Sequence, residues 1–334
     1  MRRSPKRPPK QTPVSTLSQA EIVEAVRRTG NPYELLALAD VASLLDLGAG
    51  DLSFASEVVA RYLPTRTTRG DELTVHAIDR LKPGSTLGGP LHAEPAVVQR
   101  LRQTPRLQFR FWGGQDMFAP DAHVALWPRY TIVSCQAPAT PAFAYEPTRF
   151  SSGRLDAELR RTKGDFRPVR VDGEAALEVL HNGRSLLFPP WKFEIRGPLA
   201  LLDLAARRGK ACVFGAVDSQ VFWEILTQLI DRPTARPADT ILTPAALKDC
   251  LGPVYSELTA LALGSSLILN DLTPIRTHMP RAFPGAGTPS YSFRYVEVRR
   301  GALFDGMPAG STARLFATMK EEEPPWCLIL IPET

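Results

Sequence analysis

The sequence predicts an α/β fold: a doubly wound, mostly parallel sheet with a helical N-terminal extension and an insertion after the fourth strand. Three observations carry this. Short apolar runs alternate with amphipathic segments from residue 43 onward, a Gly-rich turn follows the first run, and the rhythm breaks once, across residues 139–197, before it resumes. Strands that alternate with helices are joined by crossovers, and crossovers lay helices on both faces of a parallel sheet. With 334 residues, 44% hydrophobic and 22% charged, the chain can bury a large core without disulfide staples. Its composition excludes a disordered, collagen-like or coiled-coil protein.

Residues 1–14 form a Pro-rich basic tail in which Arg2, Arg3, Lys6, Arg7 and Lys10 stand without an acid. Those five charges equal the whole net charge of +5, so the remainder of the chain is neutral. Such a segment has no apolar surface to bury and is expected to be disordered. It lacks the apolar stretch of a secretory signal, and no run approaches the roughly eighteen apolar residues of a membrane span, so a cytoplasmic protein without membrane contact is expected. The four cysteines, Cys135, Cys212, Cys250 and Cys327, are far apart with no CxxC pair and no histidine cluster beside them. That pattern points to neither a structural zinc nor a disulfide framework.

Residues 15–334 read as a single domain. Its extension, 15–42, opens with SQAEIVEAVRRTG, a helix with Ser18 as N-cap, Glu21 completing a capping box and Gly30 as the stop. Asn31 and Pro32 then start a second short helix with Leu35, Leu36 and Leu38 on its apolar face. SLLDL (43–47) is the first strand, LSFASEVVARYL (52–63) the helix after it, and PTRTTRGDE (64–72) an extended loop before the second strand, LTVHAID (73–79). EPAVVQRLRQT (94–104) is a helix between that strand and LQFRFW (107–112), and RYTIVSC (129–135) is the fourth strand.

The insertion, 139–197, begins in a Pro- and Ala-rich stretch. PLALLDLAARRG, KACVFGAV and SQVFWEILTQLI then restore helix, strand and helix (198–230). A competing register makes SLLFPP the next sheet strand; ACVFGAV is preferred because two patterned helices flank it, whereas two prolines close SLLFPP. TPAALKDCLGPVYSELTALAL (243–263) is a helix broken near Gly252 and Pro253. YSFRYVEVRR and PWCLILIPE are late β-runs expected to pair antiparallel at the sheet edge, with Glu321, Glu322 and Glu323 guarding that edge against aggregation.

The chemistry concentrates in DLGAGD (46–51). Gly48 and Gly50 let the chain turn sharply off the first strand and approach a ligand without a Cβ between. A dinucleotide fingerprint wants a third glycine where Ser53 stands, and its pyrophosphate would meet the repulsion of Asp46 and Asp51. Those carboxylates suit a cationic ligand. DLGAG resembles the first motif of the class I S-adenosylmethionine-dependent methyltransferases, in which an acid and an apolar residue precede GxG at the end of the first strand.

That resemblance implies a Rossmann-like methyltransferase fold and S-adenosyl-L-methionine as cofactor. It implies that Asp46, Gly48, Ala49 and Gly50 hold the cofactor's amino-acid portion, and that Asp79, the acid closing the second strand, holds the ribose hydroxyls. Gln115 and Asp116 stand where such enzymes hold the adenine, with Asp116 the better match, and Ser134 joins the cofactor-binding set. The match covers residues 43–138 and extends to 198–230 in rhythm only. An enzyme that transfers a methyl group to an unidentified acceptor is therefore expected.

The acceptor side is less marked. The loop after the fourth strand, SCQAPATPAFAYEP, lacks the Asn/Asp-Pro-Pro-aromatic pattern of many amino-group methyltransferases. Gln136, Cys135 and Tyr145 are the catalytic candidates, with Glu146 on the same loop and His123 before the strand. Cys135-Gln136 is similar to the Pro-Cys-Gln nucleophile motif of cytosine C5 methyltransferases, with Ser134 in place of the proline and no Glu-Asn-Val after it. Residues 149–170 carry Arg149, Arg154, Arg160, Arg161, Lys163, Arg167 and Arg170 against Asp156, Glu158 and Asp165. Together with the tail, this basic stretch ranks RNA or a ribonucleoprotein ahead of a small metabolite as the acceptor, although the amphipathic run RLDAELRRT reads equally as a solvated helix. Two rivals remain: a catalytically silent scaffold or binding protein of the same fold, and a nicotinamide-dependent oxidoreductase.

Overall fold

The computed structural model describes residues 13–79, 81–84, 92–115, 117, 124–136, 165–171, 174–181, 184–188, 202, 204–217, 222–223, 225–226, 229, 244–272, 276–278, 290–301 and 326–333. Strand β1 (Ala42–Leu47) is buried at every position, Ser43 and Asp46 included, as a strand covered on both faces is. It pairs in parallel with β2 (Leu73–Asp79) on one side and β4 (Tyr130–Gln136) on the other. β3 (Leu107–Gly113) lies outside β2, again parallel.

In the insertion, β5 (Asp165–Val171), β6 (Glu174–His181) and β7 (Arg184–Phe188) form a separate three-stranded antiparallel sheet. The run SLLF thus pairs with β6 and not with the main sheet. The place beside β4 goes to β8 (Gly209–Val217), as the two flanking helices predicted.

The main sheet is completed by β9 (Ser266–Ile268), β10 (Arg276–His278), β11 (Ser290–Arg300) and β12 (Trp326–Pro332). Its order is β10-β11-β12-β8-β4-β1-β2-β3, with β9 also paired to β11. The late runs do pair antiparallel, but β12 is no edge strand. It lies between β8 and β11, antiparallel to both, with all seven residues buried. A run without alternation is the pattern of an interior strand. The three glutamates before it fall outside the described residues.

Helices cover both faces. Against one lie α1 (Gln19–Thr29), α2 (Leu35–Leu38), α3 (Ser53–Thr68) and α4 (Pro95–Gln103), packing Ile22, Leu36, Phe54, Val58 and Leu101 on Leu44, Val75, Ile132, Val213 and Ile329. Against the other lie helical residues 202, 204–208, 222, 223, 225, 226 and 229, with α5 (Pro244–Leu251) and α6 (Pro253–Ala260). The capping box of α1 forms as read, and Gly30 ends that helix in the left-handed region at φ 62°. α3 departs from expectation. It runs through Pro64 to Thr68, so the stretch PTRTT is helical rather than an extended loop. Arg66, buried within it, donates to the carbonyls of Ala39, Asp40 and Glu72 and ties the end of α3 to the sheet's entry.

No helix among the described residues is long and apolar enough to cross a membrane.

Candidate functional site

Two halves of the sheet grow in opposite directions from β1 and β4: β2 and β3 follow β1 to one side, and β8 follows β4 to the other. Where the order reverses, α3 lies on one face of the sheet and the helical residues before β8 on the other, and the carboxyl ends of the strands at such a switch point are the usual ligand position in open α/β sheets. Asp46, at the end of β1, is the register partner of Ser134 in β4, and Gln136 lies two residues further along the same face.

The glycine turn follows at once. Gly48 and Gly50 have φ of 70° and 54°, a conformation that a side chain would strain. The amides of Gly48 and Ala49 both donate to the carbonyl of Ile78 at 2.9 and 3.0 Å. The Gly50 amide donates to Asp79 Oδ2 at 2.7 Å, and the Ser53 amide to Asp51 Oδ1 at 2.9 Å. The turn therefore spends these amides inside the protein, and Asp51 occupies the start of α3. A phosphate-binding turn keeps such N–H groups for its anion. The nicotinamide reading loses its phosphate cradle here.

Asp79 is placed as predicted, buried at the end of β2, and both of its oxygens serve the backbone: Oδ1 also accepts from the Leu81 amide at 2.7 Å. It is a clamp that holds β2 to the turn. Asp46 is different. It is 1% exposed, and its Oδ2 accepts no hydrogen bond. Burial, with the nearby Asp79 and Asp51 carboxylates adding repulsion, pushes its pKa up to about 8. A buried acceptor without a donor is costly, and such groups cluster at functional sites.

Beside Asp46 lies a polar network that sequence reasoning missed in part. The Tyr33 hydroxyl, from the 3-10 turn Pro32–Glu34, is 2.6 Å from Ser134 Oγ, and Gln136 Nε2 donates to Tyr33 at 2.7 Å and to Ser134 at 3.0 Å. All three residues are buried. Burial raises the Tyr33 pKa well above its ordinary value, so the phenol is neutral. The turn is anchored: Asn31 caps it, Asn31 Nδ2 donates to the Tyr62 hydroxyl of α3 at 3.0 Å, and the Tyr33 ring meets Phe54 edge-on at 5.4 Å. Gly215 of β8, the register partner of Gln136, makes the room. A Cβ there would fall 2.0 Å from Gln136 Oε1. A glycine inside the strand pattern FGAV was a legible sign of close approach; nothing local marked Tyr33.

Of the remaining predicted residues, Gln115 and Cys135 are among the described ones. Gln115 donates its backbone N–H to the Asp79 carbonyl at 3.0 Å, which brings the end of β3 to the end of β2. Cys135, at 1% exposure, belongs to the core on the opposite face of β4 from Ser134 and Gln136, and all four cysteines are buried thiols outside any disulfide. Met117 was not foreseen. Its Sδ would be 2.9 Å from a Cβ on Gly48, so the thioether covers the turn at close range. Asp116, His123, Tyr145 and Glu146 lie outside the described residues, as do residues 149–164 of the basic stretch and residues 1–12 of the tail.

No model of a known protein family matches this chain, and no curated protein matches it.

Proposed function

We propose that the protein is an S-adenosylmethionine-dependent methyltransferase. The observation that carries the reading is Asp46: a carboxyl group placed at the switch point of the sheet, 1% exposed, with an oxygen that no donor among the described residues satisfies. A ligand that brings a positive charge and N–H donors completes that group, and the ammonium end of S-adenosylmethionine does both. The glycine turn beside it and the DLGAG sequence that forms it support the same ligand. A reversed β12 between β8 and β11 departs from the parallel 3-2-1-4-5-6 dinucleotide sheet, and the turn's internally spent amides leave little for a pyrophosphate.

On this reading Asp46 orients the amino-acid end of the ligand, and Asp79, while clamping the turn, retains oxygen lone pairs for the ribose hydroxyls. Ser134 and Gln136 form the wall between cofactor and acceptor. The bound cofactor supplies an activated methyl group, and transfer from a sulfonium is intrinsically favourable. The protein's task is then alignment and exclusion of water. The acceptor proposed first is RNA or a ribonucleoprotein, on the basic charge of the tail and of residues 149–170.

A second reading, a catalytically silent scaffold of the same fold, is favoured by two specific observations. Met117 packs on Gly48, and both Asp79 oxygens hold backbone amides. Calorimetric titration with S-adenosylmethionine, alongside NADH and the Asp46→Ala variant, decides between them. Saturable binding that the variant loses supports the enzyme; absence of binding by the folded wild type overturns it in favour of the scaffold.

A further inference from the structure

We infer that Asp46 holds a proton in the ligand-free protein and surrenders it when a ligand's ammonium group enters the crevice, so that binding is an exchange of one cation for another. The inference rests on the S-adenosylmethionine reading above and adds to it a coupled proton.

The geometry leaves the ionised form without support. Asp46 lies in the middle of a sheet, flanked in register by Ala77 of β2 and Ser134 of β4. The charged and titratable groups that bear on it are Asp79 at the end of β2, Asp51 in the turn and the neutral Tyr33 phenol of the N-terminal extension. Two of these are acids, and the third already bonds to Ser134 and Gln136. The Asp79 and Asp51 carboxyl oxygens accept from backbone amides, those of Gly50 and Leu81 for the first and that of Ser53 for the second. Asp46 Oδ2 has no such donor. No Lys, Arg or His forms an ion pair with Asp46 among the described residues. An isolated buried carboxylate of this kind neutralises itself by taking up a proton, and the raised pKa is the expected consequence.

The exchange balances: the carboxylic acid loses its proton to solvent, the ammonium nitrogen keeps its three, and the new contact is a charge-assisted N–H···O bond inside the crevice. Each bound ligand therefore releases one proton. Below about pH 7 the ligand's own amine is protonated, so affinity should rise about tenfold per pH unit there, because each unit makes the displaced proton tenfold easier to lose.

The test is calorimetric titration of the full chain with S-adenosylmethionine and with S-adenosylhomocysteine, which keeps the ammonium and lacks the sulfonium charge. Titrations at about pH 6.5 in buffers of different ionisation enthalpy count the protons released. Expected is close to one proton per ligand for both compounds in the wild type. The Asp46→Asn variant should release none and should lose the pH slope. Release with S-adenosylmethionine alone overturns the assignment to the ammonium group. Tight binding that is independent of both buffer and pH overturns the inference and leaves the methyltransferase reading standing, whereas no binding at any pH overturns that reading instead. If the variant fails to fold by circular dichroism, the wild-type proton count decides by itself.

Discussion

Gly215→Ala tests the polar network that the fold assembles from three separate parts of the chain. Gly215 lies in β8 with no left-handed backbone requirement, so alanine by itself is favourable in the strand by about 0.5 kcal/mol. Its methyl group, however, would lie 2.0 Å from Gln136 Oε1, 2.7 Å from Cδ and 2.8 Å from Nε2. The amide must swing away, and it then loses its bonds to Tyr33 at 2.7 Å and Ser134 at 3.0 Å. Each buried hydrogen bond contributes about 0.5–1.5 kcal/mol net. The two losses less the strand gain predict a destabilisation of about 1–2 kcal/mol. In a Gln136→Ala background there is nothing to displace, and Gly215→Ala should become neutral or slightly stabilising. Urea unfolding followed by far-UV circular dichroism on the four proteins of this cycle measures the coupling, expected at about 1–3 kcal/mol. An equal cost of Gly215→Ala in both backgrounds would refute the reasoning, since the methyl would then be clashing with something other than the Gln136 amide.

Asp46→Asn should stabilise the protein. With a folded pKa of about 8 and an ordinary value near 4, the unfolded chain gives up this proton between those limits and the folded one keeps it. The wild type therefore loses stability as pH rises through that window, and the variant's advantage should grow by up to about 1.4 kcal/mol per pH unit; thermal unfolding at several pH values would show a constant difference if the group were not buried as described. His76 sets the acid limit. Its Nδ1 lies 2.7 Å from the Tyr130 hydroxyl, and the rings of Trp112, Trp127 and Tyr130 surround it at 5.0, 5.3 and 5.5 Å. Burial, with Arg110 adding repulsion, lowers its pKa to about 4, so below about pH 6.5 the unfolded state takes up a proton that the folded state refuses. Stability falls with pH down to about 4, by up to about 1.4 kcal/mol per unit. A His76→Gln variant should show a correspondingly flatter pH profile, and an unchanged profile would remove His76 as the cause.

The energetic logic of the site is asymmetric. Most polar groups at the crevice are satisfied: Asp79 by two amides, Asp51 by the start of α3, and Tyr33, Ser134 and Gln136 by one another. Asp46 Oδ2, with the Ser53 hydroxyl beside the turn, stands apart from this pattern at the point where the sheet changes direction. Folded proteins leave few buried polar atoms unpaired, and an unpaired one costs stability unless a ligand, ion or water completes it. The N-terminal extension is part of this arrangement and not an appendage. It reaches the crevice through Tyr33 and is locked to α3 through Asn31 and Tyr62.

The local pattern of the chain by itself determined the central strands, the capping box at Ser18, the break at Gly252 and the turn formed by Gly48 and Gly50, because each depends on residues within a few positions of one another. It also marked Asp46 and Asp79, since an acid at the end of an apolar run is visible without a partner. The helical course of α3 through Pro64 was hidden: its turns are held by tertiary anchors such as Arg66, which reaches carbonyls in two other segments. Local propensity cannot report such anchors. Only the tertiary structure could decide that β12 is interior, that the insertion carries its own antiparallel sheet, and that Tyr33, Ser134, Gln136 and Gly215 meet. Register and strand order bring these residues together across up to 182 positions of sequence, and a chain's linear pattern specifies which face a side chain takes but not which strand lies beside it.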